Sequence, residues 1–332
     1  MKIRVLGGGW YGCHIAAELI KAGHAVELHE IAGHLFAGAS GANPARLHLG
    51  FHYPRSRLTR AMCQESHARF MREYGHLTRT IPTNVYAVAA DDSLVDFGTY
   101  RQVLKGEVEF VELERPEELG LRNVEGAVLT GERHIVIRLA RAFYEEKLAG
   151  AVRYGMPPQA IDEREFDWTI DCTFCARDGQ RIDRYEPCVT GILKSAHHWD
   201  RAVTIMDGPF PSVYPWDEDA GLSSLTSARF TPLERCATHE EAARVLATVT
   251  PRDLRKRVHE MWIQLCHYWP GAGVAYDLAD MRVGIRAMPL SGAAARLVDV
   301  IETGPRTLRI RAGKIDAIFH AADQILETIC RA

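Results

Sequence analysis

The sequence predicts an α/β chain of two interleaved domains, and three observations carry that prediction. The first is the opening stretch. An apolar strand from Lys2 runs into Gly7, Gly9 and Gly12, a helix follows with Ala16, Leu19 and Ile20 on one face, Gly23 ends it, and a second strand closes on Glu30. The second is a texture of short strands between Ile81 and Ile137 and again between Cys188 and Thr226. The third is a return to longer elements near the end, where strands at Val298 and Thr307 precede a helix whose Ile318, Ala322, Ile325 and Ile329 keep a 3.6-residue period. Strand–helix–strand units build parallel sheets, and clustered short strands build antiparallel ones.

The opening unit is the most specific element. A lone G-x-G-x-x-G is a weak signal, but here it sits in a complete strand–turn–helix–strand–acid unit, the Rossmann-like dinucleotide fingerprint. Gly7 allows the tight turn, Gly9 the close approach of backbone to a pyrophosphate, and Gly12 close helix–strand packing. The helix N-terminus offers unpaired N–H groups to that pyrophosphate. Glu30 stands where a carboxylate takes ribose hydroxyls. An ordinary glycine-rich turn would leave Glu30 unexplained.

Composition narrows the function classes. The chain has 332 residues, 47% hydrophobic and 25% charged, with a net charge of −3, which leaves no basic footprint for nucleic acid. No apolar run is long enough for a membrane span. The first strand begins at Lys2, leaving no room for a signal peptide, and the eight cysteines have no framework spacing. Together these predict reduced thiols in a cytoplasmic protein. Cys172 and Cys175 have C-x-x-C spacing, but no second pair exists and this one ends a strand, so a redox or metal role is not assigned.

After Glu30 a Gly/Ala-rich loop leads into Gly38-Ala-Ser-Gly-Ala-Asn-Pro-Ala-Arg-Leu-His-Leu-Gly-Phe-His-Tyr-Pro-Arg-Ser56. Small residues let backbone pass close to a ligand. Ser40 and Asn43 offer hydrogen bonds, and Arg46, His48, His52 and Arg55 are ionisable. His48 and His52 have the spacing of a metal pair on a helix, but Gly50 and Pro54 argue against a helix, so no metal is assigned. Pro54 and Ser56 open a helix that ends near Gly75.

This fingerprint, followed by S-x-x-N-x-x-R-L-H-x-G-x-H-Y-P, resembles the D-amino-acid-oxidase-like (DAO) family of FAD-dependent oxidoreductases, and within it the 2-hydroxyglutarate and glycerol-3-phosphate dehydrogenase branches. The resemblance implies a glutathione-reductase-type FAD fold. Residues 1–80, 139–180 and 276–332 would bind FAD, and 81–138 and 181–275 would form an antiparallel-sheet substrate domain. It also implies cofactor contacts at Gly7, Gly9, Trp10, Tyr11, Gly12, Glu30, Ser40, Asn43, Arg46, Leu47, His48, Val152, Thr173, Gly313, Lys314 and Ile315. At the turn where the family has Thr-Gly this chain has Thr173-Phe174, and Phe does not take positive φ as cheaply as Gly.

The remaining elements follow in order. Asn84–Ala89 and Val108–Leu113 read as strands, Phe97–Leu104 as a short helix, and Pro116-Glu-Glu-Leu-Gly as the family's short helix. Ala127–Thr130 and His134–Ile137 add strands of the second sheet, and Leu139–Leu148 is helical. Ala151–Tyr154 and Phe166–Thr173 return to the nucleotide sheet, while Cys188–Lys194, Ala202–Met206, Ser212–Pro215 and Leu222–Thr226 extend the other. Thr238-His-Glu-Glu is a capping box. Pro251–Cys266 is a helix whose widely spread apolar residues predict that it is largely buried.

Four groups are candidates for the chemistry. Lys314, just before a helix, matches the turn that meets the flavin's pyrimidine edge in the family, where a cation stabilises the reduced ring. Arg286, in Gly284-Ile-Arg286, matches a strand over the flavin face. Its planar fork suits a substrate carboxylate, against the alternative of a structural salt bridge. His48 and His52 are candidate bases for a hydroxyl proton, and His48 is the closer match to a histidine that some members join covalently to the flavin. Arg46, Arg55, Arg57 and Arg60 either line a site mouth for an anion or form a solvated helix face. The implied function is oxidation of a C–N or C–OH bond in a small anionic substrate by hydride transfer to flavin N5, with oxygen or another acceptor taking the electrons. Two alternatives stay open: a flavin monooxygenase, and a catalytically silent FAD-binding protein.

Overall fold

A computed structural model describes residues 1–157, 165–174, 183–195, 200–289, 298–311 and 313–331. The described strands, β1 to β17 in chain order, fall into three sheets. The first runs β16 (Asp299–Gly304), β17 (Thr307–Arg311), β10 (Trp168–Asp171), β1 (Lys2–Leu6), β2 (Ala25–Glu30) and β9 (Val152–Tyr154). Its pairs are parallel except β16 with β17. After Lys2 every residue of β1 is buried, as befits a central strand covered on both faces. Between β1 and β2 lies α1 (Trp10–Lys21), which ends where Gly23 takes φ 87°.

The second sheet has eight strands, in the order β15 (Asp277–Pro289), β11 (Asp183–Lys194), β14 (Leu222–Ser227), β13 (Pro211–Asp217), β12 (Arg201–Met206), β5 (Thr83–Ala89), β7 (Val124–Thr130) and β6 (Phe110–Leu113). It is mixed rather than wholly antiparallel, because β12 and β5 run parallel. One face is covered by α7 (Pro251–Tyr268) through Val258, Met261 and Leu265. That helix is not largely buried. Its inward residues keep the helical period, while Ile263 is 58% exposed on the far side.

A third, small sheet separates from the second: β3 (Arg46–Leu47), β8 (Arg133–Ile135) and β4 (Thr78–Thr80). The sequence places His134 in the substrate sheet, whereas its backbone pairs with Arg46 and Arg79 instead. Two long helices complete the nucleotide side. The first, α3 (Arg57–Tyr74), opens with the Ser56 side chain accepting from Thr59 N. The second, α9 (Ile318–Arg331), buries Ile318, Ala322, Ile325 and Ile329, the face its periodicity predicts. Among the described residues, no helix is long and apolar enough to cross a membrane.

Candidate functional site

The glycine loop shows why its residues are small. Gly7 has φ 95°, and a Cβ there would lie 2.8 Å from the Cys172 carbonyl oxygen. A Cβ on Gly12 would fall 1.8 Å from the Gly7 oxygen, and one on Gly9 would meet the Ser40 hydroxyl at 2.8 Å. Gly9 gives α1 no side-chain cap. Instead the Ser40 hydroxyl crosses from its loop and accepts from Trp10 N at 3.0 Å. The Glu30 carboxylate stands at the head of the loop, accepting from Gly8 N at 2.6 Å and Ala32 N at 2.8 Å. Val152 pairs with Leu28 beyond it. A helix N-terminus capped only by a hydroxyl from a neighbouring loop, a glycine cradle and an acid at the end of the second strand are the groups a pyrophosphate and a ribose require.

Other predicted contacts divide by what their side chains do. The Trp10 indole is buried against Phe36, Phe70 and Tyr144, so only its backbone belongs to the loop. Asn43 accepts from Ala45 N at 2.7 Å and shapes its own turn. Thr173 bonds back to Asp171 through both its N–H and its hydroxyl. Phe174 adopts φ 60° despite its bulk, so the turn keeps the left-handed shape that a glycine would give it. Cys175 lies outside the described residues, which leaves the C-x-x-C pair undescribed.

The closing segment comes back to the first helix. The Tyr11 hydroxyl donates to the Lys314 carbonyl at 2.6 Å and accepts from Gly313 N at 3.2 Å. Lys314 itself points away from solvent. Its Nζ sits 3.8 Å from the centre of the Tyr53 ring and 2.7 Å from Cys63 Sγ. Burial opposes the Lys314 charge, but Tyr53, Cys63 and Asp316 around it raise its pKa above the ordinary lysine value. After Ile315, Asp316 is buried with one carboxyl oxygen unpartnered. Burial lifts its pKa, while Lys314 and His48 pull it back down.

The pairing of β3 with β8 assembles the other half of the site. It sets His48, one residue past β3, beside Glu132, one residue before β8. His48 Nδ1 lies 3.5 Å from Glu132 Oε1, with the imidazole 14% exposed and the carboxylate fully buried. Glu132 also accepts from Leu49 N at 2.7 Å and from the Tyr86 hydroxyl at 2.6 Å. Burial works to raise the Glu132 pKa, but His48, Tyr86 and Leu49 together hold it below the usual carboxylate value. The rings of His52 and Tyr53 pack on His48 at 5.9 and 5.6 Å, and His52 is exposed.

The arginines do not gather. Arg286 places Nε at 3.1 Å and Nη2 at 2.5 Å from one oxygen of the buried Glu186, which also meets Arg184 at 3.1 Å. Arg55 pairs with Asp207, and Arg57 and Arg60 share Glu107. Arg46 differs. Its guanidinium donates to the Thr204 and Ser212 hydroxyls and lies 4.4 Å from the centre of the Tyr214 ring. Tyr53 thus lies against Lys314 and the buried Tyr214 against Arg46, whereas Tyr268 and Trp269 belong to the core of the eight-stranded sheet.

Glu132, Tyr86, Cys63 and Asp316 are absent from the sequence-based candidates. Asp316 alone had a local signal, as the acid two residues after Lys314. The others arrive through strand pairing and helix packing between distant segments.

A family model described as FAD dependent oxidoreductase (DAO) matches residues 2–305. The chain is 35% identical over 341 residues to the FAD-dependent monooxygenase FPY4 of Fusarium mangiferae, covering 99% of this chain and 91% of that one. It is 26% identical over 369 residues to the FAD-dependent monooxygenase kojA of Aspergillus flavus, covering 99% and 86%. Among solved structures, glycine oxidase from Geobacillus kaustophilus aligns with a TM-score of 0.71 at 15% identity, over 99% of this chain and 94% of that one, a likeness of fold. The family match covers most of the chain, and its cofactor requirement agrees with the loop, cap and acid of the nucleotide side: the chain belongs to the DAO family of FAD-dependent oxidoreductases.

Proposed function

We propose that this enzyme oxidises a C–OH bond, or the C–N bond of an amine, in a small anionic substrate. The observation that carries the reading is the His48–Glu132 pair. Taking hydride from an alcohol carbon requires a base for the hydroxyl proton, and an imidazole with a buried carboxylate behind it suits that task. Glu132 faces Nδ1, so Nε2 is the nitrogen that takes the proton, and the carboxylate then stabilises the imidazolium. An amine substrate can shed its proton beforehand, so the pair favours the alcohol. This chemistry, with the Gly313-Lys314 turn, supports the hydroxy-substrate branches of the family.

In this reading Gly7, Gly9, Gly12 and Ser40 hold the pyrophosphate of FAD, Glu30 its ribose, and Val152 and Thr173 flank the adenosine half. Asn43, Leu47, His48, Tyr11, Gly313 and Ile315 would hold the ring, and a Lys314 ammonium would offset negative charge on its reduced form. Bound FAD supplies the two-electron acceptor. Of the expected substrate clamps, the Arg286 guanidinium is engaged by Glu186 through two of its nitrogens, whereas Arg46 is held by neutral hydroxyls and a ring and faces no carboxylate in those contacts.

A second reading, oxygen insertion after external reduction, is favoured by the names of the two curated relatives. Anaerobic mixing with hydroxy acids, polyols and amines separates the two. Bleaching of the flavin absorbance without a nicotinamide supports direct oxidation, and bleaching only on adding NADPH supports the monooxygenase. No flavin absorbance after reconstitution with FAD would sink both.

A further inference from the structure

The Lys314–Cys63 contact is unlike the other polar contacts of the site. N–H···O bonds span about 2.7–3.2 Å, and sulfur, being larger than oxygen, holds its donors farther away. Nζ and Sγ are nevertheless 2.7 Å apart. That is too close for an ammonium resting on a thiol and too far for a direct N–S bond. It is the separation of two atoms bonded to one shared oxygen. Both residues line a cavity of about 10 Å³, together with Thr59, Ser66 and Asp316. Cys63 is 1% exposed and lies on α3, while Lys314 precedes α9, so a link there would join two helices that are distant in sequence.

We propose that Cys63 and Lys314 form a reversible covalent S–O–N bridge, an oxidative modification site at the edge of the cofactor site. Dioxygen is the oxidant. The Cys63 thiol and the neutral Lys314 amine react with one O2. One oxygen atom becomes the bridge, and the other leaves as water with two of the three S–H and N–H hydrogens. Sulfur and nitrogen each give up two electrons, which accounts for the four that O2 accepts. The proton that makes Lys314 an ammonium must leave first, and the unpartnered carboxyl oxygen of Asp316 lines the same cavity to receive it. Bridging removes the cation beside Tyr53, and reduction restores it. Oxidation state thereby sets the charge at the site without moving a domain.

The test is the intact mass of the full-length holoprotein purified in air, before and after treatment with a phosphine reductant. One added oxygen and two lost hydrogens raise the mass by about 14 Da, on a different rung from the roughly 16 Da of a sulfenic acid. The increment should vanish on reduction. Thiol titration of the denatured, unreduced protein should find one fewer than the eight cysteines of the sequence. Proteolysis should yield a cross-linked pair of peptides containing residues 63 and 314. Cys63→Ser and Lys314→Arg should each abolish the increment. If either variant fails to fold, the wild-type mass and peptide map still decide. An unchanged mass even after exposure to hydrogen peroxide, a 16 Da increment confined to Cys63, or a loss of 2 Da from a direct S–N bond would each overturn the bridge.

Discussion

Two regions of this molecule set a cation against a buried carboxylate, and they differ in how directly the acid is met. At the β11–β15 pair, Arg286 and Arg184 close on Glu186 with short bonds, and the acid is 3% exposed. Around β3, β8 and the closing segment, His48 stands 3.5 Å from Glu132, Lys314 Nζ faces a ring and the Cys63 sulfur, and one Asp316 oxygen has no partner. In the first region both oxygens of the acid are engaged by guanidinium groups, and the arrangement reads as structure although the arginines outnumber the acid. The second leaves polar capacity unspent in a buried setting, which costs stability and is retained where a ligand or a proton completes it.

The contrast can be broken from either side. His48→Asn should have the largest effect, slowing flavin reduction by the alcohol by about 10²–10⁴-fold, the range for losing a general base. Stopped-flow absorbance measures it, with flavin content unchanged as the check on folding. Glu132→Gln keeps the shape but not the charge, and should slow the same step by up to about 10²-fold, the lower end of that range. A rate that ignores both changes would move the chemistry away from this region.

His14 supplies a control outside both regions. Burial, reinforced by nearby cations, lowers its pKa to about 3, and its Nδ1 meets the Tyr74 hydroxyl at 2.7 Å. Its folded pKa lies below the unfolded value near 6.5, so its share of stability is complete above that value and is lost as pH falls toward the folded one. Between pH 7 and pH 5 the loss from this group is about 2 kcal/mol. Urea unfolding at the two pH values, in wild type and His14→Phe, should show the slope shrink in the variant. Smaller effects test the arginines. Arg46→Met should raise the substrate KM about 10-fold, as expected for one charge-assisted bond, while Arg286→Met should change KM by less than about 3-fold because its guanidinium is already held on the Glu186 carboxylate. A reversal of that order would restore Arg286 as the clamp.

What the sequence made legible was local. The fingerprint, the Ser56 and Thr238 caps and the last helix all depend on residues within a turn or two of each other. Glu132 was hidden because its relation to His48 exists only through the β3–β8 register. Arg286 stayed undecided between a substrate clamp and a salt bridge because its partner lies 100 residues away on β11. For α7, counting apolar residues gave the wrong burial. Their phase was the better guide, since Ile263 falls off the stripe of Val258, Met261 and Leu265.

The Tyr11 hydroxyl joins residues 303 and 302 positions apart in the chain, at Lys314 and Gly313. During synthesis the glycine loop therefore waits for this contact until residues 313 and 314 have been made. The cofactor cleft cannot close before then, and non-local closure of this kind is slow. FAD taken up at that point would act as the clasp between the glycine loop and the closing segment, so shortage of the cofactor should show first as loss of newly made enzyme rather than of the mature pool.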